Sequence, residues 1–170
     1  MVVNLSTSAM NEEIARSHGG KCFYSKVGEG NVVDKILEKN AIIGGEGNGG
    51  VIYPKINTGR DGFVGIALIL ELLAERSQTV SEAIALLPKF HMIKEKWEIG
   101  DKNLDEIYKN LKKHYKTAIT DEQDGLRLSF PNKSWIHLRP SNTEPIIRLF
   151  GEAKTELEIK ALIEEARLIL

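Results

Sequence analysis

The sequence predicts a three-layer α/β domain over residues 1–88, followed by a small α+β domain with an antiparallel sheet over residues 89–170. Two observations support this division. In the first part, short apolar segments alternate with segments of helical periodicity, an order typical of a layered β/α sheet. After Pro88 the alternation ends, and a helical segment precedes three strand-like segments and a last helix. The charged stretch 89–96 marks the expected boundary.

The composition excludes several classes of protein. The chain has 170 residues, is 42% hydrophobic and 28% charged, and carries a formal net charge of −1, which is typical of a soluble globular protein and argues against nucleic-acid binding by bulk charge. Its one cysteine, Cys22, leaves no internal disulfide and favours a reducing compartment. No signal peptide is recognisable, and the apolar stretch 63–74 is too short to span a bilayer. We therefore expect a cytoplasmic protein without membrane or nucleic-acid partners.

In the first domain, Ser6 to Ser8 offer capping hydroxyls for the first helix, and Asp61 is placed to cap a later one. The helix after Asp61 is almost continuously apolar, so we expect it to be buried on most of its sides against the sheet. The strands are expected over 2–5, 21–25, 41–43 and 51–54. Helices are expected over 9–18, 61–76 and 80–87, and another follows the polar glycine loop 27–31 with apolar positions at Val32, Val33, Ile36 and Leu37.

A glycine-rich loop between two of these strands carries the most distinctive chemistry. The segment 44–50 reads G-G-E-G-N-G-G and presents the carboxylate of Glu46 and the carboxamide of Asn48 on a backbone with few side chains. Gly45 and Gly47 allow close approach of a ligand to that backbone. A carboxylate accepts hydroxyl protons and a carboxamide both donates and accepts, so the pair suits the vicinal hydroxyls of a sugar. A hairpin loop without a ligand remains an alternative.

The same loop also matches a sequence motif of dinucleotide-binding sites. Gly45, Gly47 and Gly50 match G-x-G-x-x-G, and an acidic residue, Glu71, follows about twenty positions later. That pattern must open a helix after a strand, whereas residues 51–54 are β-branched, aromatic and closed by a proline. We therefore predict a second strand there and reject a dinucleotide site.

Other polar residues can join the sugar loop. In a layered β/α sheet the loops at the carboxyl ends of the strands meet at one edge, so Ser6 and Glu29 can converge with Glu46 on one cleft. Arg60 and Asp61 read first as a turn and a helix cap, and Arg60 is also a candidate ligand neighbour.

The second domain is predicted to open with a helix that Asn103 and Glu106 cap, and to close with one that Thr155 and Glu158 cap. The strands between them are expected over 125–130, 134–138 and 146–150.

The loop between the last two strands has the composition of an anion site. It reads R-P-S-N-T-E-P over 139–145, with donors on Ser141, Asn142 and Thr143 and guanidinium groups on Arg139 and, beyond the loop, Arg148. Arginine pairs bidentately with phosphate, and consecutive amides in a turn form an anion-binding concavity. A plain turn between two prolines is the alternative. His137 shares strand parity with Arg139 and is a weaker candidate for the same loop, and no cluster with metal-ligand spacing is evident.

Taken in order, five segments resemble the α-D-phosphohexomutase family over its third and fourth domains: V-V-N-L-S at 2–6, V-G-E at 27–29, G-G-E-G-N-G-G at 44–50, G-R-D-G at 59–62 and R-P-S-N-T-E-P at 139–145. The resemblance implies that Glu46 and Asn48 grip ring hydroxyls. It also implies that Arg139, Ser141, Asn142 and Thr143 hold the non-transferring phosphate of a hexose or hexosamine phosphate, with Arg148 as a helper. Many members carry Ser at the Asn48 position, and some carry Lys in place of Ser6 or His in place of Glu29.

The family's catalytic motifs are not in this sequence. Members transfer phosphate through a phosphoserine in their first domain and a magnesium ion on an Asp-Gly-Asp loop in their second, and neither motif occurs here. The resemblance therefore implies a carboxyl-terminal fragment of a mutase that interconverts sugar 1- and 6-phosphates. It implies no catalytic residue and no cofactor in this chain, magnesium in the complete enzyme, and the missing amino-terminal domains as partners. A stand-alone phosphosugar-binding module or a subunit of a split mutase is the alternative, and a fragment that self-associates through bare apolar surface is a third.

Overall fold

A computed structural model describes residues 1–98, 100, 103–141 and 146–169. The chain divides into two compact units, Met1–Lys89 and Phe90–Leu170. Each unit has its own sheet and its own buried apolar cluster.

Unit 1 is an α/β domain built on a four-stranded sheet of order β2-β1-β3-β4. Strand β1 is parallel to β2 and to β3, while β4 is antiparallel to β3. The strands are β1 (Val2–Asn4), β2 (Phe23–Ser25), β3 (Gly44–Gly45) and β4 (Val51–Ile52), and the helices are α1 (Met10–Ser17), α2 (Glu29–Lys39), α3 (Gly62–Arg76) and α4 (Val80–Ala85).

Helices lie on both faces of this sheet. Helix α2 buries Ile36 in one cluster with Val2 and Ile52. Helix α3 approaches the sheet through Gly65, where an added Cβ would lie 3.4 Å from Cγ2 of Val51. Because successive strand residues point to opposite faces, Val51 and Ile52 place the two helices on opposite sides. The prediction of a three-layer α/β domain is confirmed.

The predicted position of the third strand was wrong. We expected it over 41–43, but β3 is formed by Gly44 and Gly45, and Ile42 is 70% exposed. Helix α2 explains the shift, because it packs directly on the backbone of Gly44. A Cβ at Gly44 would lie 2.5 Å from Cδ1 of Ile36 and 2.7 Å from the carbonyl oxygen of Val2, so only glycine fits. The apolar run in the sequence therefore precedes the strand.

The expectation that helix α3 is buried on most sides was also wrong. Its buried residues are Val64 and Gly65. On the opposite side of the helix, Phe63 is 87% exposed, Ile66 56% and Leu70 60%. We call Phe63, Ile66 and Leu70 the apolar surface of α3. Helix α3 as a whole is apolar almost without interruption. Its sequence therefore has no polar face to show which side lies away from the sheet.

Unit 2 is an α+β domain with a five-stranded sheet of order β5-β9-β8-β7-β6, in which every neighbouring pair is antiparallel. The predicted antiparallel sheet is confirmed. The strands are β5 (His91–Glu98), β6 (Ile119–Asp121), β7 (Leu126–Ser129), β8 (Trp135–Pro140) and β9 (Ile146–Ala153), and the helices are α5 (Leu104–His114) and α6 (Glu156–Ile169).

The two faces of this sheet differ in chemistry. One face packs Leu128, Leu138 and Leu149 against Leu111 of α5 and Ile159 of α6. On β7, β8 and β9 the residues between these core positions point to the opposite side, which we call the outer face. The outer face carries Arg127, Trp135, His137, Arg139, Arg148, Phe150 and Glu152.

Two strands of this sheet were not predicted. Residues 91–98, which we read mostly as a charged boundary segment, form the eight-residue strand β5, and 119–121 form β6. Both strands lie at the edges of the sheet. Edge strands commonly carry charged side chains, especially lysine, so β5 shows weak hydrophobic alternation.

No helix among the described residues is long and apolar enough to cross a membrane.

Candidate functional site

In unit 1 the carboxylate of Glu46 is held in one orientation. Its Oε1 accepts hydrogen bonds from Nδ2 of Asn4, at 2.9 Å, and from the backbone N–H of Gly28, at 3.1 Å. The side chain of Glu46 is only 7% exposed. Because Oε1 is taken up by these two donors, the chemistry that Glu46 can offer to a ligand is concentrated on Oε2.

Asn4 belongs to the candidate site, although we did not predict it from the sequence. It ends β1, is 4% exposed, and its Oδ1 accepts from the backbone N–H of Ser6 at 3.0 Å and from Oγ1 of Thr7 at 2.9 Å. One carboxamide thus shapes the turn after β1 and orients Glu46. The sequence contained one sign of this role, because Asn4 is a polar residue at the end of a short apolar strand. A buried amide at such a position needs hydrogen-bond partners for all its polar groups.

Arg60 lies between two carboxylates. Oε1 of Glu29 accepts from the backbone N–H of Arg60 at 2.6 Å, and Oε2 accepts from its Nε at 2.8 Å. Nη1 of Arg60 is 3.9 Å from Oε2 of Glu46. The hydrogen bond from the Arg60 backbone, and then that from its side chain, hold the pKa of Glu29 below its usual range.

Glu29 and Arg60 border an open cleft of about 530 Å³, which is lined by Glu29, Asn48, Gly49, Gly50 and Arg60. Glu46 is not among the lining residues, and it approaches them through Arg60. Oδ1 of Asn48 accepts from the backbone N–H of Gly50 at 3.0 Å, so the amino group of its carboxamide is the part available to a ligand. The structure therefore brings three predicted residues, Glu29, Asn48 and Arg60, to one cleft.

Ser6 does not line that cleft. It is 7% exposed and lies beneath the loop, where a Cβ on Gly47 would be 3.2 Å from its carbonyl oxygen. At Gly45 a Cβ would be 2.4 Å from the carbonyl oxygen of Gly50, so the two arms of the loop approach too closely for any side chain. Gly45 thus serves backbone packing within the loop, and Gly47 serves packing of the loop against Ser6 and Thr7.

In unit 2, Arg139 and Arg148 are directly opposite each other on β8 and β9. The Nε atoms of both are buried and have no hydrogen-bond partner among the described residues. Nη1 of Arg139 is 3.8 Å from Oδ2 of Asp124, too far for a hydrogen bond. In the described part of the chain, this pair therefore leaves two buried Nε–H donors unpaired on the outer face.

The predicted anion loop is described only in part. The backbone N–H of Ser141 donates to the carbonyl oxygen of Ile146 at 2.9 Å, which closes the two ends of the loop on each other. Asn142 and Thr143 lie outside the described residues.

His137 lies on the same face as Arg139 but is fully buried, and its Nε2–H donates to the backbone carbonyl of Asp124. Burial, reinforced by the positive charge of Arg127, lowers the pKa of His137 to about 4, although the bond to Asp124 acts in the opposite direction. At neutral pH this histidine is uncharged and adds no positive charge beside Arg139. The described residues contain no group of three or more His, Cys, Asp or Glu side chains placed to hold a metal ion.

Comparison with known proteins gives consistent matches along the chain. Residues 1–90 match the phosphoglucomutase/phosphomannomutase α/β/α domain III, and residues 93–169 match the C-terminal domain of the same proteins. A phosphoglucomutase/phosphomannomutase of Thermococcus kodakarensis is 39% identical over 170 residues, covering 96% of this chain and 36% of the relative. A phosphoglucosamine/phosphogalactosamine mutase of Sulfurisphaera tokodaii is 35% identical over 175 residues, covering 100% of this chain and 38% of the relative.

The fold has a counterpart among solved structures. The crystal structure of a phosphoglucomutase/phosphomannomutase family protein from Burkholderia thailandensis superposes with a TM-score of 0.82 at 24% identity, covering 99% of this chain and 36% of that one.

These matches define two consecutive domains of one class of enzymes, the phosphohexomutases. The chain belongs to the phosphoglucomutase/phosphomannomutase family, because residues 1–90 match domain III of that family and residues 93–169 match its C-terminal domain. It spans little more than a third of the length of the curated relatives that it matches.

Proposed function

We propose that this chain binds a hexose or hexosamine phosphate and supplies the sugar and phosphate sites of a phosphohexomutase. The whole enzyme would interconvert the 1- and 6-phosphates of the sugar. The names of the relatives support this class of ligand, since they include phosphomannomutase and phosphoglucosamine mutase activities.

The observation that carries the proposal is the cross-strand pair of Arg139 and Arg148. Two buried Nε–H groups without partners are costly unless a ligand supplies acceptors, because a buried unpaired donor loses its hydration. A phosphate has several acceptor oxygens and two negative charges, and it pairs with guanidinium groups bidentately. Arg139 is the principal phosphate ligand in this proposal, Arg148 assists it, and the adjoining Ser141, Asn142 and Thr143 complete the site.

The sugar would be held in unit 1. Glu46 would offer Oε2 as an acceptor for ring hydroxyls, and Asn48 would offer its amino group as a donor. Arg60 lines the cleft with Asn48 and lies 3.9 Å from Oε2 of Glu46. Since Asn4 and the Gly28 backbone fix Oε1, Glu46 would meet the sugar without losing much side-chain freedom on binding.

Bond breaking would belong to other domains. The 170 residues contain no Asp-Gly-Asp run, and the described residues show no acidic or histidine cluster that fits a magnesium ion. No step of the chemistry is therefore assigned to a metal in this chain. Its contribution would be to position the sugar phosphate and to balance its charge.

A stand-alone phosphosugar-binding module, or a subunit of a split mutase, would use the same two sites. The gene upstream of the one that encodes this chain would distinguish a stand-alone module from a subunit of a split mutase. A neighbouring reading frame with a phosphoserine loop and an Asp-Gly-Asp motif would favour a split enzyme, and an unrelated neighbour would favour the module.

A titration followed by NMR tests the proposal. Glucose, mannose and glucosamine 6-phosphates would be added to the chain while the backbone amides of residues 44–50 and the Nε–H signals of Arg139 and Arg148 are observed. We expect both sets of signals to shift with the sugar phosphates, and Arg139→Gln to abolish the response.

Unphosphorylated glucose serves as the control ligand, and it should leave the arginine signals unchanged. Glu46→Gln should weaken the shifts in residues 44–50 while inorganic phosphate still shifts the arginine signals. Equal responses from the parent and Arg139→Gln would reject the phosphate site.

A further inference from the structure

The turn between β6 and β7 brings a carboxylate close to Arg139. This turn covers residues 122–125, and Oδ2 of its Asp124 lies 3.8 Å from Nη1 of Arg139. The side chains of Asp124 and Arg139 are 26% and 16% exposed. At this distance the two groups attract each other by charge, and salt screens a partly buried pair less than an exposed one.

The backbone of the turn is packed directly on β8. Gly125 has a φ of +79°, in the region that favours glycine. A Cβ there would collide with the carbonyl oxygen of Leu138 and would lie 2.9 Å from Cα of Arg139. The main chain of the turn therefore lies against the main chain of the residue whose guanidinium we assign to the phosphate, and a side chain at position 125 would push the two apart.

A hydrogen bond to β8 fixes the turn a second time. The backbone carbonyl of Asp124 accepts from Nε2–H of His137, which is fully buried and lies two residues before Arg139. Two independent contacts, one at Asp124 and one at Gly125, thus hold the backbone from which the Asp124 carboxylate projects. Its distance from Arg139 is set by the fold of unit 2.

Tyr108 of α5 is under the influence of both charges. Its hydroxyl donates to the carbonyl oxygen of Leu138 at 3.0 Å. Burial, and then the negative charges of Asp124 and Asp105, raise the pKa of Tyr108 to about 12, whereas Arg139 acts in the opposite direction. Asp124 and Arg139 therefore act on the same region of the protein with opposite sign, and Asp124 reduces the positive potential that Arg139 creates.

The other acidic residue of the turn has a different environment. Both carboxylate oxygens of Glu122 accept from Nζ of Lys112 on α5, at 2.9 and 2.8 Å. Of these two residues, Asp124 is the one whose carboxylate lies beside the guanidinium of Arg139. Glu122 therefore provides a matched carboxylate in the same turn.

We propose that Asp124 is a counter-charge built into the phosphate site, and that it weakens the binding of a phosphate at Arg139. A phosphate bound by Arg139 would bring its negative charge close to the carboxylate, and like charges at short range repel each other. The site would then hold the phosphate loosely, and contacts to the sugar would supply the rest of the affinity. This role rests on the proposed function, since it assumes that Arg139 binds the phosphate.

Asp124→Asn tests this role through a gain in affinity, because it keeps the size of the side chain and removes its charge. Glucose 6-phosphate carries roughly two negative charges at about pH 7.5, and glucose 6-sulfate carries one. Both would be titrated into the chain at low salt, with the Nε–H signals of Arg139 and Arg148 as the readout. We expect Asp124→Asn to bind glucose 6-phosphate about fivefold and glucose 6-sulfate about twofold more tightly than the parent, with both gains shrinking as salt is added.

The sign of the effect separates this role from a structural one, because a variant that folds poorly would bind less. Asp124→Glu keeps the charge and should show no gain. Glu122→Gln removes a carboxylate from the same turn, where it pairs with Lys112, and should stay within about twofold of the parent. Asp124→Ser introduces a second neutral residue that suits a turn, and it should reproduce the gain.

The possible failures are distinguishable. If Asp124→Asn and Asp124→Ser bind glucose 6-phosphate only as tightly as the parent, the role of Asp124 is overturned while the phosphate site at Arg139 stands. Weaker binding by both variants would overturn it too, because Asp124 would then support Arg139. If the parent's arginine signals respond to neither ligand, the proposed function fails, and the role of Asp124 fails with it.

Discussion

Nδ2 of Asn4 donates a 2.9 Å hydrogen bond to Oε1 of Glu46, and the two residues are 42 positions apart in the chain. The bond joins the end of the first strand to the glycine loop. It makes the orientation of the candidate sugar-binding carboxylate depend on a residue far from the loop in sequence.

Replacing Asn4 with alanine is expected to lower the free energy of unfolding by about 1–3 kcal/mol, because it removes the acceptor of the buried Ser6 N–H and one of the two donors to Oε1 of Glu46. Urea unfolding measures the loss. Asn31→Ala is the control, since Asn31 donates only to the Val27 carbonyl from an exposed position, and it should change stability by less than about 0.5 kcal/mol. An Asn4→Ala variant as stable as the control would contradict the role given to Asn4.

Arg60→Met should raise the pKa of Glu29 towards its ordinary value of 4.5, because the side-chain hydrogen bond and the charge of Arg60 are removed. Carboxyl signals followed by NMR during acid titration give this pKa directly. Glu38 is the internal control. Lys35 and Lys39 lower its pKa to about 2, and that value should not move. An unchanged Glu29 pKa would show that Arg60 and Glu29 do not pair in solution.

His137 should make stability depend on pH. Its pKa falls from 6.5 in the unfolded chain to about 4 in the folded protein, so the unfolded chain binds more protons between those values. The free energy of unfolding should therefore decrease as the pH falls from 6.5 towards 4, by at most about 3 kcal/mol from this group.

Comparing His137→Gln with the parent isolates this contribution, because glutamine can still donate to the Asp124 carbonyl but does not titrate. Urea unfolding across the same pH range should show a smaller loss for the variant. The exposed His18→Gln should follow the parent. Parallel curves for parent and His137→Gln would mean that His137 titrates normally.

The apolar surface of α3 should promote self-association. Phe63 and Leu70 expose 87% and 60% of their surface, and contiguous exposed apolar area drives association. Light scattering should show a mass that rises with concentration, and Phe63→Ser combined with Leu70→Ser should reduce that rise. Ile119→Ser, which alters a single exposed residue at 77% exposure in unit 2, should not. A parent that stays monomeric at high concentration would rule this out.

The sequence predicted the fold class better than it predicted packing, and the chemistry of the two loops stays a prediction. The glycine loop, the cleft residues Glu29, Asn48 and Arg60, and the two-domain fold class all follow from short motifs and periodicity. The burial of α3 was wrong because burial depends on what lies against a helix, and a continuously apolar helix has no periodicity from which to read its buried side.

The missed features depend on pairing across the chain. Strand β5 was missed because its charges hid its alternation, and the alignment of Arg139 with Arg148 follows only from the register of the sheet. The partnership of Asn4 with Glu46 likewise requires β1 and β3 to be neighbours. No spacing in the sequence encodes either relationship.

One of the two donors that fix Glu46 is a main-chain group. The N–H of Gly28, at the residue where helix α2 is capped, belongs to the backbone and is not removed by a side-chain substitution. Deuterium exchange at this single amide should therefore report the state of the glycine loop. A sugar that tightens the loop should slow the exchange, which would give an assay for ligands that needs neither enzymatic turnover nor a label.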